Sequence, residues 1–198
     1  CGKTTLVELL VGRFAADGLR CTSVSLDDFY LTGAQQDALA EDNPENALLQ
    51  VRGNAGTHDL KLGETTLRAL RGTSAPSVAV PAYNKAARGG RGDRAERGCW
   101  REEHGPFDVI LLEGWMLGFK PRGDRAALRG IHAGLPDIDE RLGAYRALDN
   151  LVDGWCVCAL EDRRHIVEWR LQAERAMAAA GRPGMGDDAV RDFVARYM

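Results

Sequence analysis

Cys1-Gly2-Lys3-Thr4-Thr5-Leu6-Val7-Glu8-Leu9-Leu10 opens the chain, and its reading decides the fold. Gly-Lys-Thr is the close of the pattern G-x-x-x-x-G-K-[ST], and it runs directly into an apolar stripe at helical spacing, Leu6, Leu9, Leu10 and Phe14. That order puts the glycine and the lysine on a helix N-terminus, where free backbone N–H groups and the helix dipole favour phosphate. Gly2, Lys3, Thr4 and Thr5 would cradle the phosphates of ATP, with Lys3 as a point charge and the Thr4 hydroxyl as a ligand for Mg²⁺. The pattern expects a strand and a first glycine upstream of Cys1, so the chain reads as a fragment. A Gly-Lys-Thr triplet also occurs by chance, and an ordinary helix start is the plain alternative.

Working outward, Thr4 to Ala16 reads as a helix ended by Gly18. Cys21 to Leu26 alternates like a short strand, and Thr32 is set to cap a helix through Ala40. Asn43 to Thr57 is loop. Asp59 to Arg71 is an amphipathic helix with Leu60, Leu67 and Leu70 inward. Ser77 to Val80 is a strand, and Pro81 to Gly105 is a long Gly/Arg-rich stretch without periodicity, of the kind usually functional or mobile. Val109 to Leu112 is a continuous apolar run suited to a central parallel strand. Asp137 to Val152 is helical, and Trp155 to Leu160 reads as a buried strand. Asp162 to Ala180 is a helix with Ile166, Trp169, Ala173, Met177 and Ala180 on one face. Gly181 to Gly184 breaks it, and a last helix starts at Asp187. Alternating strands and helices predict one α/β domain over residues 1–198, a three-layer P-loop fold with a parallel sheet, helices on both faces and a helical lid.

Two further features support nucleotide chemistry. Asp27 lies at the C-terminal end of the first strand, where ligands of open α/β sheets bind. There it can accept a proton from a substrate hydroxyl attacking the terminal phosphorus. Either Asp27 or Asp28 can instead cap the next segment; side chains alternate along a strand, so the two should face opposite ways, and only one is the base. Val109-Ile110-Leu111-Leu112-Glu113-Gly114 resembles a Walker B strand, with Glu113 holding Mg²⁺ directly or through water. The competing reading is a buried strand that ends in an acid for no catalytic reason. Together the three features point to an ATP-using phosphotransferase.

Arg170 can close over the phosphates from its helix, or belong to a solvated face with Arg163, Arg164 and Arg175. Arg52, Lys61, Lys85, Arg88, Arg91 and Arg94 sit in or near the irregular stretches. Such groups suit a small anionic acceptor, although most would serve equally as exposed basic residues. His58 and Asp59 follow a polar turn that can bind a polyol or merely cap the next helix.

Composition narrows the rest. The 198 residues are 44% hydrophobic, enough for a full core, and the net charge of −3 gives no reason to expect nucleic acid or an anionic membrane as a partner. No apolar run approaches the roughly 20 residues that span a bilayer. Five cysteines, Cys1, Cys21, Cys99, Cys156 and Cys158, are too scattered for a disulfide framework or a zinc site. Cys156 and Cys158 read as small buried hydrophobes on one face of a strand.

The chain resembles the plant-type D-glycerate 3-kinase family, within the P-loop kinase group that also holds phosphoribulokinase, uridine kinase and pantothenate kinase. The segments that carry the resemblance are Ser25-Leu26-Asp27-Asp28-Phe29-Tyr30-Leu31-Thr32, Arg52-Gly53-Asn54-Ala55-Gly56-Thr57-His58-Asp59-Leu60 and Pro81-Ala82-Tyr83-Asn84-Lys85. They continue through Gly90-Arg91-Gly92-Asp93-Arg94, Glu113-Gly114-Trp115-Met116-Leu117-Gly118-Phe119-Lys120-Pro121 and Trp169-Arg170-Leu171-Gln172-Ala173-Glu174. The resemblance implies ATP- and Mg²⁺-dependent phosphorylation of D-glycerate to 3-phospho-D-glycerate, the photorespiratory reaction. It implies Asp27 as base, Glu113 near Mg²⁺, Arg170 on the lid, and Asp59 and Tyr83 on the acceptor side. Lys85, Arg91 and Arg94 are the expected partners of the glycerate carboxylate. The compartment expected is chloroplast stroma for a plant or alga and cytoplasm for a bacterium. Two rival readings are a kinase of the same group acting on another small hydroxylated acceptor, and a non-catalytic ATP-binding regulator.

Overall fold

The computed structural model describes residues 2–72, 77–159, 162, 164–179, 181 and 185–195. Cys1, residues 73–76, Leu160, Glu161, Arg163, Ala180, residues 182–184 and residues 196–198 lie outside the described residues, as do the side chains of Arg164, Met177, Asp192, Phe193 and Ala195. The chain divides into two compact units, Thr4–Gly154 and a smaller one made of Cys1–Lys3 with Trp155–Met198.

The larger unit is α/β. Helix α1 (Lys3–Ala16) leads into strand β1 (Cys21–Ser25), which pairs in parallel with β6 (Val109–Glu113) in the register Cys21 to Val109 through Ser25 to Glu113. Between them lie α2 (Gly33–Asp42), α3 (Leu60–Arg71), β2 (Val78–Val80), β3 (Tyr83–Asn84), β4 (Asp93–Arg94) and β5 (Arg101–Glu103). After β6 come α4 (Arg125–Ile131), α5 (Leu135–Leu142) and α6 (Arg146–Asp149). The expected cap at Thr32 is present as a capping box, with Gln35 reaching back to the Thr32 N–H.

One core serves this unit. Val24, Leu26 and Phe29 from the end of β1 pack with Leu67 and Leu70 of α3, Ile138 of α5 and Leu148 of α6. Each such fully buried side chain contributes about 1.5–3 kcal/mol. The stretch from Pro81 to Gly105, without periodicity in sequence, carries structure: β3 pairs antiparallel with β4, and β5 pairs antiparallel with β2. These strands are two and three residues long, too short to leave an alternation pattern.

Three packing expectations are corrected. On α1 the half-buried stripe is Val7, Leu10, Val11 and Phe14, while Leu6 and Leu9 are 39% and 69% exposed. Residues 155–159 form no strand; Val157 is 83% exposed, and Cys156 and Cys158 are exposed. An apolar run becomes a strand only where a neighbour takes its backbone hydrogen bonds, and no described strand pairs with this one. Asp27 and Asp28 lie not on a strand but on a 3₁₀ turn, Leu26–Phe29, so alternation does not separate them.

In the smaller unit, α7 (Arg164–Ala179) packs on α8 (Asp187–Ala195) through Leu171, Val190 and Val194, with Ile166, Val167 and Met185 alongside. The buried face of α7 therefore runs through Val167, Leu171 and Glu174. Trp169 and Ala173, expected inward, are exposed. No described helix is long and apolar enough to cross a membrane.

Candidate active site

Two clusters form where β1 and β6 end. In the first, Glu113 closes β6 and its Oε1 accepts hydrogen bonds from Thr4 Oγ1 at 3.2 Å and Ser25 Oγ at 3.0 Å. The register sets Ser25 directly beside Glu113. Gly114 follows because a Cβ there would meet Leu26 Cβ at 2.8 Å. A carboxylate and two hydroxyls are hard oxygen donors of the kind Mg²⁺ takes, usually one or two from protein with the rest from phosphate and water. No described group of three or more His, Cys, Asp or Glu side chains is arranged to hold a metal by itself.

The second cluster surrounds the two adjacent aspartates, and the 3₁₀ turn gives them different work. Asp28 Oδ2 accepts the Ser25 N–H at 3.4 Å, the return half of a capping box. Burial pushes the Asp28 carboxyl up, against the Ser25 hydrogen bond and the Arg101 charge. Asp27 instead meets Lys85 Nζ at 2.6 Å. Burial alone would raise its carboxyl, but the Lys85 ammonium and hydrogen bonds from Lys85 and Tyr30 hold it below the ordinary value.

The Arg52–Asp59 turn builds the wall beside Asp27. Gly56 takes φ +99°, open to glycine at little cost, and its N–H donates to Tyr145 Oη at 3.1 Å. Tyr145 Oη lies 2.6 Å from His58 Nδ1. His58 is 5% exposed, stacks on Tyr30 with centroids 4.5 Å apart, and is lowered by burial to about 4, so it is neutral at pH 7. Tyr83 meets Tyr30 edge-on. Trp115 Nε1 donates to Gly53 O at 2.7 Å, tying the segment after Glu113 to this turn.

The expected carboxylate-binding cations divide. Arg94 is mostly buried and donates to Asp59 Oδ2 at 3.1 Å and to Tyr30 O at 2.9 Å. Asp59 also caps α3 by accepting the Leu62 N–H, which is the helix-cap reading of it. Arg91 pairs with Asp37, which Arg88 also engages. Only Lys85 is set beside Asp27. Gly2 and Lys3 belong to the smaller unit, while Thr4 and Thr5, both exposed, belong to the larger. Arg170, also in the smaller unit, pairs with the buried Glu174 at 2.6 Å. Sequence reasoning missed Ser25, Tyr30 and the His58–Tyr145 pair. Ser25 was findable as the strand's last hydroxyl, but nothing in the sequence links Tyr145 to a turn 87 positions away.

Comparison with known proteins follows the same lines. No family model matches the chain. It is 47% identical over its whole length to a chloroplastic D-glycerate 3-kinase of Arabidopsis thaliana, of which it spans 44%. It is 34% identical to an uncharacterized kinase of Schizosaccharomyces pombe, of which it spans 74%. A solved D-glycerate 3-kinase from Cryptococcus neoformans superposes on 98% of the chain with a TM-score of 0.88 at 35% identity, and 73% of that chain is covered.

Proposed function

The chain belongs to the D-glycerate 3-kinase family of P-loop kinases, and on that premise we propose that the protein transfers the terminal phosphoryl group of ATP to the 3-hydroxyl of D-glycerate. Both units then serve one kinase domain. Gly2, Lys3, Thr4 and Thr5 hold the phosphates at the start of α1. Thr4 and Glu113 are the residues that would hold Mg²⁺, which when bound neutralises charge on the transferring group. Asp27 takes the hydroxyl proton. Arg170 stabilises the developing phosphate charge from α7, and Asp59, Tyr83, Lys85 and Arg94 line the acceptor side. Arg91, engaged by Asp37, has a smaller part.

One observation carries this reading: a carboxylate after β1 sits beside a lysine at 2.6 Å, in the same unit as a second carboxylate that binds the first-turn threonine of α1. Such a pair, one carboxylate on the turn after β1 and one at the end of the neighbouring β6, supports an acceptor-side base and a metal-side acid. The Arabidopsis relative is chloroplastic by name, so in a plant or alga we place this protein in the plastid stroma.

The test is acceptor-dependent ADP release with D-glycerate, uridine, pantothenate and glycerol. D-Glycerate should give the highest kcat/KM by at least an order of magnitude. Preference for another acceptor would support a different kinase of the same group. ATP binding without release on any acceptor would support a regulator.

A further inference from the structure

Lys85 is the only expected acceptor-side cation whose partner is the base itself. The other cations near it are committed elsewhere. Arg94 is held by Asp59 and Tyr30 O, Arg91 and Arg88 by Asp37, and Arg52 by the carbonyls of Gly90, Arg91 and Lys85 while its guanidinium lies over Tyr83. The Arg52 bonds fix the backbone that presents Lys85. Beyond that backbone the lysine side chain is 58% exposed, with a long flexible stem, whereas Asp27 is 31% exposed on a turn anchored by Leu26 and Phe29 in the core. Lys85 therefore has the longer and more solvated side chain, and Asp27 the more firmly seated backbone. An exposed ion pair is weakly held, worth about 0–1 kcal/mol, so a carboxylate arriving from solution can compete for the ammonium.

We propose that the Lys85–Asp27 pair is a gate that makes the site selective for anionic acceptors. The inference rests on the kinase reading above. In the resting site Lys85 occupies Asp27. An acceptor bearing a carboxylate draws the ammonium onto itself, and Asp27 is released for its hydroxyl. The hydroxyl proton then passes to Asp27 as the acceptor oxygen bonds to the terminal phosphorus. The P–O bond to ADP breaks with its electron pair leaving on ADP, and Asp27 later returns its proton to water. A neutral acceptor of the same shape leaves Lys85 on the base. Other groups facing Asp27 do not supply this response: Tyr30 donates a hydrogen bond, His58 is neutral, and Asp28 is engaged by the Ser25 N–H.

The test uses the full-length protein and two acceptors, D-glycerate and glycerol, which differ in the carboxylate. In Lys85→Met, kcat/KM for D-glycerate should fall by about 100-fold, the loss of a charge-assisted contact, while kcat/KM for glycerol should rise by about 3- to 10-fold as the base is freed. A lysine that only binds carboxylate would leave glycerol turnover unchanged, and a structural lysine would lower both; either result overturns the gate. A second measurement needs no variant. The ¹³C carboxyl titration of Asp27 in the wild-type protein, without ATP, should move to higher pH when D-glycerate is added and stay put with glycerol. No movement with D-glycerate overturns the gate. Absence of wild-type D-glycerate turnover strikes the kinase reading instead, and the titration still reads the pair.

Discussion

Glu113, which ends β6, and Asp27, on the 3₁₀ turn after β1, live in opposite electrostatic company. Glu113 meets hydroxyls, from Thr4 and Ser25, and no described side-chain cation pairs with it. Asp27, Asp59 and Asp37 each meet a lysine or arginine. The Glu113 cluster thus pairs its carboxylate with neutral donors, whereas the cluster around Asp27 balances its carboxylates with cations. If this second cluster takes the acceptor as proposed, an incoming anion would displace a partner rather than fill an empty place, and the most exposed partner is the one easiest to displace.

Substitutions can break this contrast. The largest effect is expected for Asp27→Asn, which should lower turnover by about 10³- to 10⁴-fold, as for loss of a general base, with ATP affinity nearly unchanged by calorimetry. Next, Arg94→Met removes one member of a mostly buried pair and should cost about 3 kcal/mol in denaturant unfolding, with much of it recovered in the Arg94→Met/Asp59→Asn double variant. That outcome would mark Arg94 as a structural cation, in contrast to Lys85.

His58 gives an effect of similar size that depends on pH. Its folded value of about 4 lies below the ordinary 6.5, so the unfolded chain binds the extra proton between those values. The stability that neutral His58 contributes is complete above pH 6.5 and is lost as pH falls toward 4, by about 3 kcal/mol. Unfolding followed across that window should show the slope in the wild-type protein and a flatter one in His58→Gln. A smaller effect is expected for Glu113→Gln, which should raise the Mg²⁺ concentration needed for half-maximal rate by about 10- to 100-fold. Smallest of all, Arg91→Ala should change the KM for D-glycerate by less than about threefold, since Asp37 already engages it.

What the sequence could reveal followed from local rules. The Thr32 cap, the Asp59 cap, the inward face of α3 and the parallel strand ending at Glu113 all emerge from spacing and side-chain chemistry within a few residues. The Thr4–Glu113 contact was legible because a first-turn hydroxyl and a strand-end acid are tied to elements whose ends meet. Other features are not local. Which aspartate caps the turn and which meets Lys85 depends on a 3₁₀ turn in place of a strand. Which cation is movable depends on where Arg52, Asp37 and Asp59 spend their hydrogen bonds. The Trp155–Leu160 run shows the reverse error, since apolar content alone suggested a buried strand where its described residues, 155–159, have neither pairing nor cover.

The most direct test of the central claim is ³¹P NMR of the product formed from D-glycerate, ATP and Mg²⁺. The account predicts a single new phosphomonoester on the 3-hydroxyl of glycerate, formed by the wild-type protein and not measurably by Asp27→Asn. Phosphate on the 2-hydroxyl, or comparable product from Asp27→Asn, would contradict it.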